Sequence, residues 1–358
     1  MSLSSSLLSM ARLTHELGRP VRIMEVCGTH TMAAFRSGLR SLMPKGLSLL
    51  SGPGCPVCVT PDRFVDEAIA LAHRPDILVT TFGDMLRVPG SEKSLEQARA
   101  EGANARVVYS PLDALQMARE QPERKIVFLG VGFETTAPAV AWTVLQAEEE
   151  GLSNYFVLCA HKTMPNAMAA LLAGGQVKVD GFLCPGHVSA IIGSRAYEFI
   201  PRKYGVPCVV AGFEPADMAA SMEMILRQLA EKSPRVEIQY QRAVTPEGNP
   251  KAQETLRRAF VECDAEWRGL GVIPASGLAI APKYAARDAL PLLAGLPLPA
   301  AKPHTGCRCG EVLRGAVTPP ECPLFRTRCT PAAPIGACMV SSEGTCAAYY
   351  KYAAIRGG

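Results

Sequence analysis

Thirteen of the 358 residues are cysteine, and three groups of them carry spacings suited to metal or redox chemistry. Cys27-Gly28-Thr29-His30 sets a thiol three residues before an imidazole, where an apolar run gives way to helical spacing. A thiolate is a soft ligand for iron, copper or zinc, and a neighbouring imidazolium or helix N-terminus lowers the thiol pKa. The same pair reads as a buried structural cysteine followed by a capping histidine. Cys55-Pro56-Val57-Cys58 is a Cys-x-x-Cys ahead of a helix, the spacing of a reversible dithiol or of one half of a metal site. Structural zinc needs two more ligands, and no matching pair stands nearby, which favours redox or shared-iron chemistry over zinc. Two inert thiols in a Gly/Pro loop is the third reading.

Six more cysteines, Cys307, Cys309, Cys322, Cys329, Cys338 and Cys346, crowd the end of the sequence. An iron–sulfur cluster needs four thiolates, and Cys307, Cys322, Cys329 and Cys346 form Cys-x14-Cys-x6-Cys-x16-Cys, with Cys309 and Cys338 left over. Extended backbone projects the thiols of Cys307 and Cys309 to one side. Because Cys309 gives Cys-x12-Cys equally well, spacing leaves the choice between them open. A zinc ribbon would show two Cys-x-x-Cys knuckles, which this segment lacks. Cys159, Cys208 and Cys263 stand in apolar surroundings and read as small core residues.

Between residues 21 and 232 one unit repeats: a short apolar run, a loop of Gly, Pro and polar residues, then a stretch with helical spacing. Strands are predicted at 21–26, 47–52, 76–81, 106–110, 125–130, 155–160, 181–184 and 206–212. Their near-continuous apolarity suits strands covered on both faces, as in a parallel sheet between helices. Thr60-Pro61 and Ser110-Pro111 each set a capping side chain before a first-turn proline. The class predicted is α/β: two parallel-sheet lobes with helices on both faces, 1–120 and 121–232, parted near EQPERK (120–125). Residues 233–358 form a helical and Cys-rich remainder, with a helix over 251–267. Beyond Ala289 no period persists, and a metal centre is expected to organise what the side chains cannot.

Ligands in open α/β sheets bind outside the carboxyl ends of the strands, and the unusual residues fall in those loops. They include Cys27 and His30, Cys55 and Cys58, Glu134 in GFETT, His187 in CPGH and Glu214 in GFEP. Gly130-Val131-Gly132 lacks the third glycine of a dinucleotide loop and the Gly-Lys-Ser/Thr of a triphosphate loop, so no nucleotide site is assigned. Glu134 reads either as a proton-transfer or orienting carboxylate or as a helix cap, and His187 divides the same way.

Composition narrows the partners. Lys+Arg 37 against Asp+Glu 33 gives +4 with neither sign gathered into blocks, no footprint for nucleic acid or anionic lipid. The N-terminal residues show no secretory pattern, and with an odd, clustered cysteine set they point to a cytoplasmic protein with reduced thiols.

Taken together the blocks MEVCGTHT, GPGCPVCVTP, GVGFETTAP, CPGHVS, AGFEP, CRCGEVLRG, ECPLF and MVSSEGTCAAYYKY, in this order, resemble the HypD family of hydrogenase maturation factors over nearly the whole chain. The resemblance implies a scaffold with a redox role, rather than a conventional turnover enzyme, on which iron of the [NiFe]-hydrogenase active site becomes Fe(CN)2CO. Cys27 would bind the iron with His30 beside it, and Cys55 and Cys58 would share that cleft as a dithiol. Glu134, His187 and Glu214 belong to motifs that look like the rest of the cleft. The resemblance further implies a [4Fe-4S] cluster, placed on Cys307, Cys322, Cys329 and Cys346, with Cys309 and Cys338 as a redox pair. Implied partners are a HypC-type chaperone and a HypE-type cyanide donor. The competing class is an iron–sulfur-dependent thiol/disulfide oxidoreductase, which has no need of Cys27.

Overall fold

Two parallel sheets make the body of the protein, seen in a computed structural model that describes residues 2–175, 177–300 and 305–353. The strands are β1 (Val21–Glu25), β2 (Leu47–Ser51), β3 (Ile77–Thr81), β4 (Ala105–Val107), β5 (Lys125–Gly130), β6 (Tyr155–Cys159), β7 (Gly181–Pro185), β8 (Cys208–Ala211) and β9 (Val236–Ile238). Each of the eight predicted strands exists, and the α/β class with parallel sheets and flanking helices holds. All five residues of β3 and of β7 are buried, because helices cover both faces. Each fully buried Val, Leu or Ile there contributes about 1.5–3 kcal/mol.

The sheets do not follow the expected halves of the chain. One runs β2-β1-β7-β8-β9 and the other β4-β3-β5-β6. Residues 1–120 therefore divide between both sheets, and the seam expected at 120–125 falls within the second, just before β5 pairs with β3 from Ile77↔Lys125 onward. Apolar periodicity identifies a strand without naming its neighbour. Strands that are greasy on both faces are interchangeable to that signal.

Two local differences have simple causes. Ser110 caps its helix as expected, with Pro111 in the first turn and Asp113 completing a capping box. Thr60 does not cap; Pro61 takes that position, and the Thr60 hydroxyl donates to the Pro56 carbonyl at 2.9 Å. The helix predicted over 251–267 stops at Ala259, and Phe260–Trp267 becomes strand β10, paired antiparallel with β11 (Gly271–Ile280). Tertiary packing overrides the helical pattern there. Trp267 is fully buried, stacks on Phe133 at 5.9 Å and donates from Nε1 to Ser276 Oγ at 2.8 Å, contacts that an extended segment brings together.

The loop after β6 contains a histidine sealed in the core. His161 is 1% exposed and meets the edge of Phe260 at 5.7 Å. Its Nδ1 lies 3.3 Å from the Gly132 carbonyl, which only accepts, fixing the Nδ1–H tautomer. Burial pushes the imidazolium down to about 4, whereas the unfolded chain takes up that proton near 6.5. The folded state is thus unpenalised above pH 6.5 and loses stability as pH falls toward 4. His161→Asn, which keeps a donor for Gly132, is expected to lose about 3 kcal/mol less than the parent between pH 7 and pH 4, read by urea unfolding. Equal losses in both proteins would refute it.

Among the described residues no helix is long and apolar enough to cross a membrane.

Candidate functional site

Strand order locates the site before any side chain is considered. In the five-stranded sheet the chain runs from β1 outward to β2, then returns on the other side of β1 with β7, β8 and β9. The reversal lies between β1 and β7, and such a switch point opens a crevice at the carboxyl ends of the strands. Cys27 follows β1 and His187 follows β7, one on each side of that crevice. The loops carrying Cys55 and Glu214 follow the outer neighbours β2 and β8.

Cys27 has extended backbone (φ −148°, ψ 122°) and occupies the N-cap of the helix Gly28–Arg36. Its N–H donates to Glu25 Oε2 at 3.1 Å, while Glu25 Oε1 accepts from Thr31 Oγ1 at 2.6 Å. Burial pushes the Cys27 thiol up to about 12, and the Glu343 and Glu25 carboxylates push the same way against backbone donors from His30 and Thr29. Glu25, wholly enclosed, is raised to about 7 by the same loss of water.

The dithiol loop lies directly on Cys27. The Gly28 N–H donates to the Gly54 carbonyl at 3.0 Å, and a Cβ on Gly54 would stand 2.2 Å from the Cys27 nitrogen. Only glycine lets the two loops touch there. Cys55 and Cys58 are joined as a disulfide, 3% and 0% exposed, so in this state neither sulfur is a thiolate ligand. Among the described residues, no three His, Cys, Asp or Glu side chains converge as a site for a single ion.

His30 does not stand beside Cys27 as a charged partner. Its Nε2 lies 3.0 Å from the Gly212 carbonyl and 3.3 Å from that of Ala211, and burial lowers its pKa to about 4, so the ring is neutral. The expected imidazolium assistance is therefore absent; what His30 offers Cys27 is its backbone N–H. The Nδ1 of His30 has no hydrogen-bond partner among the described residues. Phe213 lies between the two histidines, with ring centroids 4.8 Å from His30 and 4.1 Å from His187. His187 is exposed at the mouth, where partial burial lowers its pKa against the pull of Glu343.

The two remaining carboxylates stand at helix starts. Glu214 is exposed as the N-cap of the helix Pro215–Ala230. Glu134 is buried and accepts from the Met164 N–H at 2.9 Å, capping the helix Met164–Ala173 rather than the one that follows it in sequence. Loss of water raises it to about 7.

Glu343 is the residue that motif reading passed over. It comes from the Cys-rich tail, accepts from Thr29 Oγ1 at 2.9 Å, and would collide with any Cβ on Gly28. The tail returns to the crevice because the helix Thr345–Tyr352 packs on Gly28–Arg36, with Tyr349 edge-on to Phe35 at 4.7 Å. Glu343 lies within the block MVSSEGTC, but its spacing from Cys27 is 316 residues, beyond any local pattern.

All six tail cysteines line one small pocket. Cys309 and Cys338 are buried in the same apolar cluster as Cys55 and Cys58, with Cys307 and Cys346 at its margin. Cys58 Sγ lies 4.0 Å from the carbonyl of Ala337, the residue before Cys338. Contact among the thiols resists their ionisation: Cys309 raises Cys307, while Cys309 itself is lowered by Cys307 but raised by Cys338 and burial. Cys307, Cys309, Cys338 and Cys346, all raised, stay protonated unless a cation enters among them, after which thiolates are favoured. Arg268, ion-paired to Asp62 at 2.5 Å, supplies positive charge to Cys307 and Cys309. The pocket's donor set fits a four-thiolate cluster with two thiols to spare.

A doubly wound α/β protein with a solitary thiol at its switch point, a Cys-x-x-Cys disulfide on the adjoining loop and six further cysteines around one pocket is, as a class, a cysteine-rich α/β protein. Comparison with known proteins narrows this. The family model for HypD, described as the hydrogenase formation hypA family, matches residues 3–353. The hydrogenase maturation factor HypD of Rhodobacter capsulatus is 48% identical over 98% of this chain and 95% of its own. Those of Escherichia coli K12 and Azotobacter vinelandii are 46% and 48% identical, covering 96% and 93% of this chain and 92% and 90% of theirs. The chain belongs to the HypD family of hydrogenase maturation factors.

Proposed function

We propose that this protein is the platform on which iron acquires cyanide and carbon monoxide, as Fe(CN)2CO, on its way to the [NiFe]-hydrogenase active site. The observation that carries this reading is the placement of Cys27: an unpaired thiol at the switch point, between the Cys55–Cys58 loop on one side and His187 with Glu343 on the other. Iron is cargo here. Cys27 supplies one soft ligand, and among the described residues no neighbouring set of side chains completes the coordination. The remaining positions fall to the two kinds of diatomic ligand and to a second protein, a HypC-type chaperone that shares the ion. A HypE-type protein delivers cyanide. His187 and Glu343 at the mouth are placed to meet incoming groups, and Phe213 holds both imidazoles in orientation.

A [4Fe-4S] cluster on Cys307, Cys322, Cys329 and Cys346 would supply electrons to this centre. The chain's own cysteines would form a balanced two-electron couple: opening the Cys55–Cys58 disulfide takes up two electrons and two protons and leaves two thiols, and the free thiols Cys309 and Cys338 would release two electrons and two protons on closing to a disulfide. This division leaves Cys309 and Cys338 on the side of the cage nearest Cys58. The alternative, an oxidoreductase acting on protein disulfides, is disfavoured by burial, because a folded partner has no approach to a disulfide that is 0–3% exposed.

Infrared spectroscopy of the protein purified with its chaperone is the test. Bands of iron-bound cyanide and carbon monoxide are expected in the complex and absent from the chaperone alone. A complex that holds iron with no such bands under maturation conditions would overturn the proposal.

A further inference from the structure

The loop after β6 carries a lysine that the iron reading does not use. Lys162 is 5% exposed, and among the described residues its ammonium makes no hydrogen bond or ion pair. A buried cation without an acceptor is costly. Its backbone pairs antiparallel with Gly277 of β11, and Cys263 of β10 pairs with the same glycine from the other side. Directly opposed residues share a face of the sheet, so Lys162, Gly277 and Cys263 stand in one row. Two such steps set the Cβ atoms of Lys162 and Cys263 about 10 Å apart, a span that the four-carbon stem of lysine largely closes. Gly277 leaves that path open, since a Cβ there would stand 3.4 Å from Cys263 Sγ.

A second thiol, Cys159, also faces the lysine's charge but is committed. Its Sγ donates to the Leu278 carbonyl at 3.0 Å, and burial pushes it up to about 12. Cys263 is partly exposed on β10, whose outer edge has no strand partner among the described residues, so a reagent from solvent meets Cys263 first. Burial pushes the Cys263 thiol up, and the Lys162 ammonium pulls against it. Glu262, Asp264 and Glu266 are exposed beside it, so an anionic carrier is repelled and an uncharged one is not.

We propose that Cys263 and Lys162 form a relay that captures an acyl group from a small, uncharged acyl thioester. The Cys263 thiol attacks the thioester carbonyl; a new C–S bond forms, the carrier's C–S bond breaks, and the carrier leaves as a thiol. The Lys162 amine then attacks the same carbonyl and forms an amide, while the C–S bond to Cys263 breaks and the thiol regains its proton. No electron changes hands. Burial lowers the Lys162 pKa and so raises its share of neutral amine. The amide also removes an unpaired buried charge. The relay does not depend on the iron proposal for Cys27.

Incubation of the full chain with S-acetyl-N-acetylcysteamine, with acetylated peptides followed by mass spectrometry, tests the relay. Lys162 is expected to acetylate about tenfold faster than the mean of the exposed lysines, because the neighbouring thiol makes the transfer intramolecular. Cys263→Ser is expected to slow Lys162 about tenfold. Lys162→Arg, which keeps the positive charge, is expected to hold the acetyl group on Cys263 as a thioester that neutral hydroxylamine releases. That variant decides the matter should Cys263→Ser fold poorly. Acetylation of Lys162 no faster than that of exposed lysines, an unchanged rate in Cys263→Ser, or no thioester in Lys162→Arg would overturn the proposal.

Discussion

Cys27→Ala is expected to leave the protein folded and to empty it of iron cargo, with metal content at the Cys27 site falling to about a tenth of the parent's or less once the one soft ligand is gone. The substitution is mild structurally. Alanine adopts the extended N-cap backbone, and the N–H to Glu25 and the Gly28–Gly54 bond are main-chain contacts that survive. The cost is one small buried side chain, about 1 kcal/mol. Loss of iron therefore reports ligation rather than unfolding. Elemental analysis, circular dichroism and visible absorbance, taken on one preparation copurified with the chaperone, separate the two. The visible absorbance assigned to the tail cysteines should persist. If Cys27→Ala still accumulates iron with cyanide bands, Cys27 is not the anchoring ligand.

How much of this was legible beforehand depends on the range of the signal. Strand existence is local: β3 and β7 announce themselves as apolar runs, and Ser110-Pro111 announces a helix start, because the physics acts within a few residues. Pairing is non-local. Nothing in residues 21–26 or 181–184 says that β1 and β7 lie side by side with Ile23 opposite Gly181, and that adjacency creates the crevice. The cysteine-bearing loops lie at strand ends, as their sequence position implies, while β1 and β2 share a sheet with β7, β8 and β9 from far along the chain, a pairing no local signal carries.

The candidate site shows the same division. A thiol's type and its position after a strand are visible in the sequence, so Cys27 and the Cys55–Cys58 pair could be named. The state of a neighbouring base is not visible. His30 is three residues from Cys27 in the chain, but its ring reaches the carbonyls after β8 and is neutralised by burial. Glu343 escaped for the converse reason, since it is far in sequence and enters only because Gly28 leaves room for it. Glu134 reads by motif as part of the crevice, and the contact that sequence does not show is the one its Oε1 makes with the Met164 N–H, 30 residues on.

The second large effect is expected in the tail, where Cys329→Ser should bleach the protein and loosen residues 305–353, while Cys309→Ser should keep its colour. This segment has few means of holding itself: two short helices, Cys309–Leu313 and Thr345–Tyr352, three-residue 3-10 turns, and a handful of buried apolar side chains such as Val312, Leu313 and Met339. Ligation of the proposed cluster would supply what packing does not, because binding free energy at an organising metal centre is folding free energy. Cys329 accepts from the Ile335 N–H at 3.4 Å and lines the same pocket as Cys322. Serine in its place would remove one of the four thiolates of the proposed cluster. Cys309, by contrast, neighbours Cys338 within the cluster that holds Cys55 and Cys58, the position of a redox partner. Limited trypsinolysis should find Arg326 and Arg328 newly cleavable in Cys329→Ser and protected in Cys309→Ser. Because the tail carries Glu343 to Thr29, its loosening should also lower iron retention at Cys27 without any change in the crevice itself. Bleaching by Cys309→Ser alone, with Cys329→Ser still coloured, would exchange the roles assigned to these two thiols.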